Sequence, residues 1–496
     1  MVRTFGRLAF SPGGATLAGS ITDKATGERI PAKVGVTSSD GNFVHPRDSI
    51  LKVGTGDPFF YSEGTFEVKV SRGLTRVVVE RGTEYVPAVV DVEMPARETV
   101  AIDVELERWS ELGDQGWHPG NTHIHYDEKE ERPDERLWLD PRVEDLRMTA
   151  ISVLRRWDLD YASNKYPPGM LTEFSSAHHY VQCGEENRHG ARWLEEQGDN
   201  MGYGHIMLLS IRNVVEPVSR GMLVDAFDPD YPPLSYACDD TRRQGGIVIW
   251  CHNGRGMEAP VAAALGKVDA FNLFDPYWAD AEYDIYYQML NAGIRLPAST
   301  GSDWFLCSGN RVYAHSDGPF DYESWVEALT AGRTFITNGP ALTLSVDNQA
   351  PGAEVEASSE RRLSTLVNWK SHYPISRVEV VSNGAVVAAE SYPQGSTEGR
   401  LEADVVAESD GWVAARVSSE ARDSYLQPIF AHTSPVYVRA GGDGPHKQDA
   451  ARRFIAEIDA SLELVNKKGK FYKDAQRREV VDLFRQGQEV YRAMLP

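Results

Sequence analysis

Along the first hundred residues, hydrophobic and polar positions alternate with a period of two. "ATLAGSITD", "AKVGVTS", "GTFEVKV", "TRVVVERG" and "TVAIDVELERW" are short alternating or β-branched runs, with "TGE", "SDG" and "SEG" as turns. Many short strands at this spacing predict a small β-sandwich over residues 1–108. From 109 to 338 the pattern changes. Apolar strand candidates ("NTHIHY", "MTAISVL", "HYVQCGE", "GHIMLLSI", "GGIVIWC", "VDAFNLF", "IRLPASTGSD") now alternate with helical stretches ("PRVEDLRM", "PLSYACDDTRRQ", "DIYYQMLNAG"). Repeated strand–helix order implies a parallel sheet or barrel, with its chemistry at the C-terminal strand ends.

Residues 339–440 return to β. "ALTLSVDN", "STLVNWKS", "SRVEVVSNG" and "GWVAARVSSE" alternate, and "SNG" suits a hairpin turn, so a second β-sandwich is expected. In the helical tail, 441–496, Phe454, Ile458, Leu462 and Val465 recur at helical spacing. "NKKGK" breaks the run, and Val480, Phe484 and Tyr491 mark a second helix. The pair reads as a packing hairpin, with homo-oligomerisation as its alternative role.

The chain has 496 residues, which suits several domains, and a formal net charge of −22. That balance argues against nucleic acid or an anionic membrane as the main partner and leaves a small-molecule substrate. The four cysteines form no CxxC pair, which argues against a structural zinc site or redox dithiol. No apolar run approaches the length of a membrane span, and the start "MVRTFGRLAFSPGG" lacks a signal-like apolar core. A cytoplasmic protein is the expectation, with a mature exported one as the alternative.

Chemistry concentrates at the strand ends of the middle region. In "NTHIHY", His123 and His125 fall at i and i+2 of a strand and share one face, where two neutral imidazoles can chelate a divalent ion. "GGIVIWCHNGRG" delivers His252, "RLPASTGSDW" delivers Asp303, "VQCGEENRHG" delivers Glu185 and Glu186, and "GYGHIMLLSI" carries His205. Alone, each reads as a loop or helix cap. Together they supply ligands enough for two ions. Arg155, Arg156, Arg188, Arg255 and Arg311 lie near the same ends and would suit an anionic substrate group, while Trp304 could wall a pocket. His178 and His189 are expected to be exposed.

The stretches "GNTHIH", "CGEE", "GHIMLLS", "WCHNG", "ALGKVDAFN", "RLPASTGSD", "NRVY" and "LTAGRTFITNGPAL" stand in the order found in the PHP (polymerase and histidinol phosphatase) superfamily of metal-dependent hydrolases. The chain resembles that superfamily over residues 110–342, and most closely its CehA/McbA branch, which includes carbamate-insecticide hydrolases. The resemblance implies a distorted seven-stranded β/α barrel flanked by the two sandwiches, with the helical hairpin at the end. It implies His123, His125, Glu186, His205, His252 and Asp303 as metal ligands, with Glu185 pointing away. Two usual ligand positions are replaced here by "LRRWDLDYASN" and "SDWF", which implies one or two ions of zinc, manganese or iron rather than three.

The expected activity is metal-dependent hydrolysis of an ester, amide or carbamate bond, with Asp303 and His252 as the catalytic residues. A metal-dependent phosphoesterase is the alternative within enzymes. A binding protein with a vestigial metal site is the alternative of another class.

Overall fold

The structure is a computed structural model, which describes residues 14–155, 160–189, 202–216, 229–251, 256–274, 283–303, 307–358 and 360–496. The chain forms two compact units. The first comprises the described part of Met1–Glu111 together with Asp134–Asp145, and the second Leu112–Pro133 with Leu146–Pro496.

The described part of the first unit has seven strands: β1 (Ala15–Asp23), β2 (Ala32–Thr37), β3 (Phe60–Ser62), β4 (Thr65–Val70), β5 (Gly73–Glu80), β6 (Ala88–Met94) and β7 (Thr99–Leu106). They form two sheets, β4-β1-β7 and β3-β2-β5-β6. In β4, Phe66, Val68 and Val70 are buried while Thr65, Glu67 and Lys69 are exposed, the alternation of a strand with one wet face. Those residues join Leu17, Ile21, Val34, Val77 and Val79 in one core. Helix α1 (Pro133–Val143) supplies Leu139 and Val143, which pack on Ile50 and Tyr61 of this unit. A buried ion pair, Lys33 Nζ to Glu144 Oε1 at 2.6 Å, ties the residue after α1 to β2. The expected helix "PRVEDLRM" is therefore displaced toward the N-terminus: Asp145 takes a left-handed φ of 53°, and the chain turns there.

The second unit opens with β8 (Trp117–Ile124), β9 (Met148–Val153), β10 (Gly169–Met170), β11 (Tyr180–His189) and β12 (Gly204–Leu209). Then come α2 (Leu234–Arg243), β13 (Ile247–Trp250), α3 (Ala259–Ala264), β14 (Ala270–Phe274), α4 (Tyr283–Asn291), β15 (Ala298–Thr300), β16 (Arg311–His315), α5 (Tyr322–Thr330) and β17 (Thr334–Thr337). Strands β8, β9 and β11 are parallel neighbours, as are β13, β14 and β15. Strand β12 lies between the two groups and runs against both β11 and β13.

This differs from the expected parallel sheet or distorted β/α barrel on two points. The sheet is mixed, since antiparallel neighbours need no helical crossover. It is also not closed. Strand β16 pairs with β8 at Val312–Gly120 through His315–Trp117 and takes that part of the edge. The three-residue β15 is followed by only an isolated bridge, Asp303 to Ile124.

Hydrogen bonding continues from β17 to β23 (Pro428–Thr433), within a group that also holds β18 (Ala341–Val346), β19 (Glu354–Glu356), β20 (Arg361–Ser382), β21 (Ala385–Ala407), β22 (Gly411–Arg422) and β24 (Val436–Arg439). The "SNG" turn closes the β20–β21 hairpin, with Asn383 and Gly384 at φ 51° and 90°, the left-handed pair such a tight turn needs. Helices α6 (Lys447–Lys467) and α7 (Asp474–Arg492) form the expected hairpin. Phe454, Ile458, Phe484 and Tyr491 are buried in the unit's main core, and the Tyr491 hydroxyl donates to Pro260 O at 2.8 Å. Among the described residues, no helix is long and apolar enough to cross a membrane, and none of the four cysteines forms a disulfide.

Candidate metal centre

Strand β8 is buried at every residue, and its end brings His123 inside, with His125 just beyond. Both histidines are fully buried. Their Nε2 atoms stand 3.0 Å apart. On β11, Glu186 and Arg188 alternate with Glu185 and Asn187, so two residue pairs face opposite ways. Asp303 follows β15 in a left-handed conformation, φ 56°, which Asp tolerates better than most side chains. Its N–H and that of Ser302 both donate to His123 O, at 2.9 and 3.0 Å.

Donor atoms of His123, His125, Glu186 and Asp303 all lie within 4.8 Å of one another. His125 Nε2 is 2.8 Å from Glu186 Oε2 and 3.8 Å from Asp303 Oδ1. His123 Nε2 is 3.3 Å from Asp303 Oδ1 and 3.7 Å from Glu186 Oε2. Two donors each about 2.1 Å from one ion stand about 3.0 Å apart at a right angle and about 3.4 Å apart at the tetrahedral angle. The four side chains already hold spacings of that order. His205 approaches from elsewhere, its Nδ1 3.0 Å from the other carboxylate oxygen, Glu186 Oε1.

The setting of His125 favours positive charge here. Its Nδ1 is 3.1 Å from Ser152 O. A carbonyl only accepts, so Nδ1 carries a hydrogen, and Nε2 faces Glu186 Oε2 at 2.8 Å. His125 Nε2, the His123 nitrogen and two carboxylates converge in a buried space. Such a set is held together only by positive charge between its members, a proton or a metal ion. A carbonyl behind a ligating imidazole is also the usual means of orienting it toward a metal. These residues fit a metal ion, and their mixed nitrogen and oxygen donors suit zinc, manganese or iron alike.

Burial alone would raise Glu186. The Arg188 guanidinium, then hydrogen bonding with His123, His125 and His205, hold its carboxyl well below the usual range. Glu185 goes the other way. Burial pushes it up to about 8, opposed by the Val215 N–H and the Asn187 amide, which it accepts at 2.8 and 3.1 Å. One of the two adjacent carboxyls is thus held as an anion inside the cluster, and the other is a buried acid on the opposite face.

A polar layer behind the ligands escaped the sequence reading. Asn121 Oδ1 accepts the His123 N–H at 3.1 Å, and its amide donates to Ser302 Oγ. Ser302 Oγ also meets Ser308 Oγ at 2.9 Å. Thr122 Oγ1 donates to Thr300 O at 2.9 Å. A Cβ on Gly301 would stand 2.5 Å from that of His123, so only glycine allows the two segments to approach. Asn121 lies two residues before His123, the one pattern that marked it in the sequence.

Of the five arginines, Arg188 reaches the cluster, with Nη1 3.8 Å from Glu186 Oε1. Arg155 is exposed. Arg311 is buried and its Nε donates to Gly309 O at 2.8 Å. His252, Arg156, Arg255 and Trp304 lie outside the described residues. His178 is exposed, but His189 is not. It stacks on Tyr203 with ring centroids 4.1 Å apart, and its Nδ1 accepts the Tyr203 N–H at 3.2 Å.

No family model matches the chain, and no curated protein matches its sequence.

Proposed function

We propose that the protein is a metal-dependent hydrolase cleaving an ester, amide or carbamate bond of a small molecule, as its resemblance to the PHP superfamily implies. In this reading the open mixed sheet is a distorted form of that superfamily's barrel. The observation that carries the proposal is the buried convergence of His123, His125, Glu186 and Asp303, with His125 Nε2 and Glu186 Oε2 only 2.8 Å apart. A divalent ion held there supplies Lewis acidity and brings the pKa of water down to about 7.

The chain's own groups do the rest. His125 is held in one tautomer by Ser152 O, and His123 is held by Asn121 through its backbone. Asp303 sits at a strand end beside both imidazoles, where its carboxylate oxygen can accept the proton released by the attacking water and return it to the leaving group. Arg188 keeps Glu186 ionised and holds a fixed positive charge beside the reacting region. Burial of all four side chains excludes bulk water and strengthens each of these interactions.

The buried guanidinium of Arg188 also favours a second reading, a phosphoesterase, because guanidinium forks match phosphate oxygens. Chromogenic aryl esters and carbamates assayed against aryl phosphates, with manganese or zinc added, separate the two. Turnover of phosphates alone would replace the first reading with the second. Protein that neither retains a metal ion nor responds to added ones would be a binding protein rather than an enzyme.

A further inference from the structure

The carboxylate of Glu186 has two differently furnished sides. Oε2 faces His125 at 2.8 Å and His123 at 3.7 Å. Oε1 faces His205 Nδ1 at 3.0 Å and Arg188 Nη1 at 3.8 Å. In a two-ion centre a bridging carboxylate offers one oxygen to each ion, with the ions about 3.5–4 Å apart. Oε1 and His205 are the donors a second ion would need. Arg188 and His205 pair directly across β11 and β12, so the guanidinium occupies that side of the site by the register of the sheet.

We propose that Arg188 takes the place of a second metal ion, so that the centre holds a single divalent cation; this rests on the hydrolase reading of the same site. A guanidinium has five N–H donors, no lone pair to ligate with, and does not deprotonate in proteins. Arg188 is 1% exposed, so its charge is not screened by water. A permanent positive charge 3.8 Å from Oε1 offsets the charge of the oxygen that a second ion would use and repels that ion.

The charge balance agrees. Among the described ligands and Arg188, two carboxylates against one guanidinium leave one negative charge when the imidazoles are neutral. One divalent ion turns this into one positive charge, matched to an anionic transition state; a second would leave three buried in a small space. With one ion bound, Arg188 is a second positive charge available to a developing oxyanion.

The test is manganese binding by the full chain after chelator treatment, followed by titration calorimetry and electron paramagnetic resonance. Wild-type protein should take one equivalent, with a second at least about 100-fold weaker and no spin-coupled pair. In Arg188→Met the second equivalent should tighten by about ten-fold or more and a coupled manganese pair should appear, while Arg188→Lys should behave as wild type. Two equivalents of similar affinity in wild-type protein would overturn the inference, whether or not the methionine variant folds. So would an Arg188→Met protein that binds its first ion normally and its second no better than wild type. A wild-type protein that binds no ion would instead overturn the hydrolase reading itself.

Discussion

Two clusters in the second unit each bring together a buried histidine, a buried glutamate and arginine, and they do opposite things. One is His123, His125, Glu186, Asp303 and Arg188. The other is His432, Tyr287, Arg416, Glu379 and Arg377. In the second, each contact pairs a proton with a lone pair. His432 Nδ1 donates to Thr433 O at 2.7 Å, and its Nε2 accepts the Tyr287 hydroxyl at 2.8 Å. Arg416 donates to that hydroxyl at 3.3 Å and to Glu379 Oε2 at 2.6 Å, while Arg377 takes Oε1. Burial, with the Arg416 charge adding to it, pushes His432 down to about 3, so it stays neutral. In the first cluster, two imidazole nitrogens and two carboxylates converge, and only positive charge between them, a proton or a metal ion, holds them together. A buried histidine beside a glutamate is therefore not by itself a sign of a metal; the sign is a surplus of acceptors.

That contrast can be broken most sharply by alanine at each histidine. His123→Ala and His125→Ala should abolish metal retention and activity, a loss beyond the roughly 10–100-fold expected for an outer partner. His432→Ala should keep the metal and instead lower unfolding free energy by about 1–3 kcal/mol for each partner left unpaired. Elemental analysis after desalting, together with urea unfolding, reads both. A metal-free His432→Ala protein, or a metal-retaining His123→Ala, would erase the distinction.

Asn121→Ala is the intermediate case. It removes the acceptor for the His123 N–H and the donor to Ser302, and metal affinity should fall by about 10–100-fold with the fold intact. Unchanged affinity in a chelator-competition titration would show that the strand positions His123 without help.

The smallest effect on metal is expected at Glu185, the neighbour that faces away. Glu185→Gln should retain the ion. Its signature is in the pH dependence of stability. Below its ordinary value of 4.5 the carboxyl is protonated folded and unfolded alike; between there and about 8 only the folded state keeps the proton. Wild-type stability therefore loses on the order of 1 kcal/mol per pH unit across that window from this group and levels off above it. Glu185→Gln should lack that decline. Parallel unfolding curves for the two proteins from pH 5 to 8 would remove Glu185 as a buried acid.

How much of this was legible beforehand depended on how local the cause was. The His123–His125 pair was readable because strand alternation operates within three residues, and the tail hairpin because Phe454, Ile458 and Tyr491 repeat at helical spacing. Glu186 was distinguishable from Glu185 only through the family resemblance; alternation alone puts one carboxylate on each face without saying which is inside. The direction of β12 depends on pairing between strands distant in sequence, which periodicity does not encode. His189 was misread for the same reason: its burial comes from Tyr203. Asn121 and Ser302 look like ordinary polar strand-end residues until the ends of β8 and β15 are brought together.

The buried pair between Lys33 and Glu144 carries a lesson about modularity. Because Asp134–Asp145 belongs to the first unit while the residues on both sides of it belong to the second, the polypeptide passes between the units three times. No single cut separates them. A fragment ending near residue 111 would lack α1 and leave the Lys33 ammonium without Glu144; the complementary fragment would carry α1 with Leu139 and Val143 deprived of Ile50 and Tyr61. During synthesis the first unit stays incomplete until residue 145 has emerged, by which time β8, His123 and His125 have already been made. Neither unit is therefore one contiguous segment that could be moved onto another protein in a single piece.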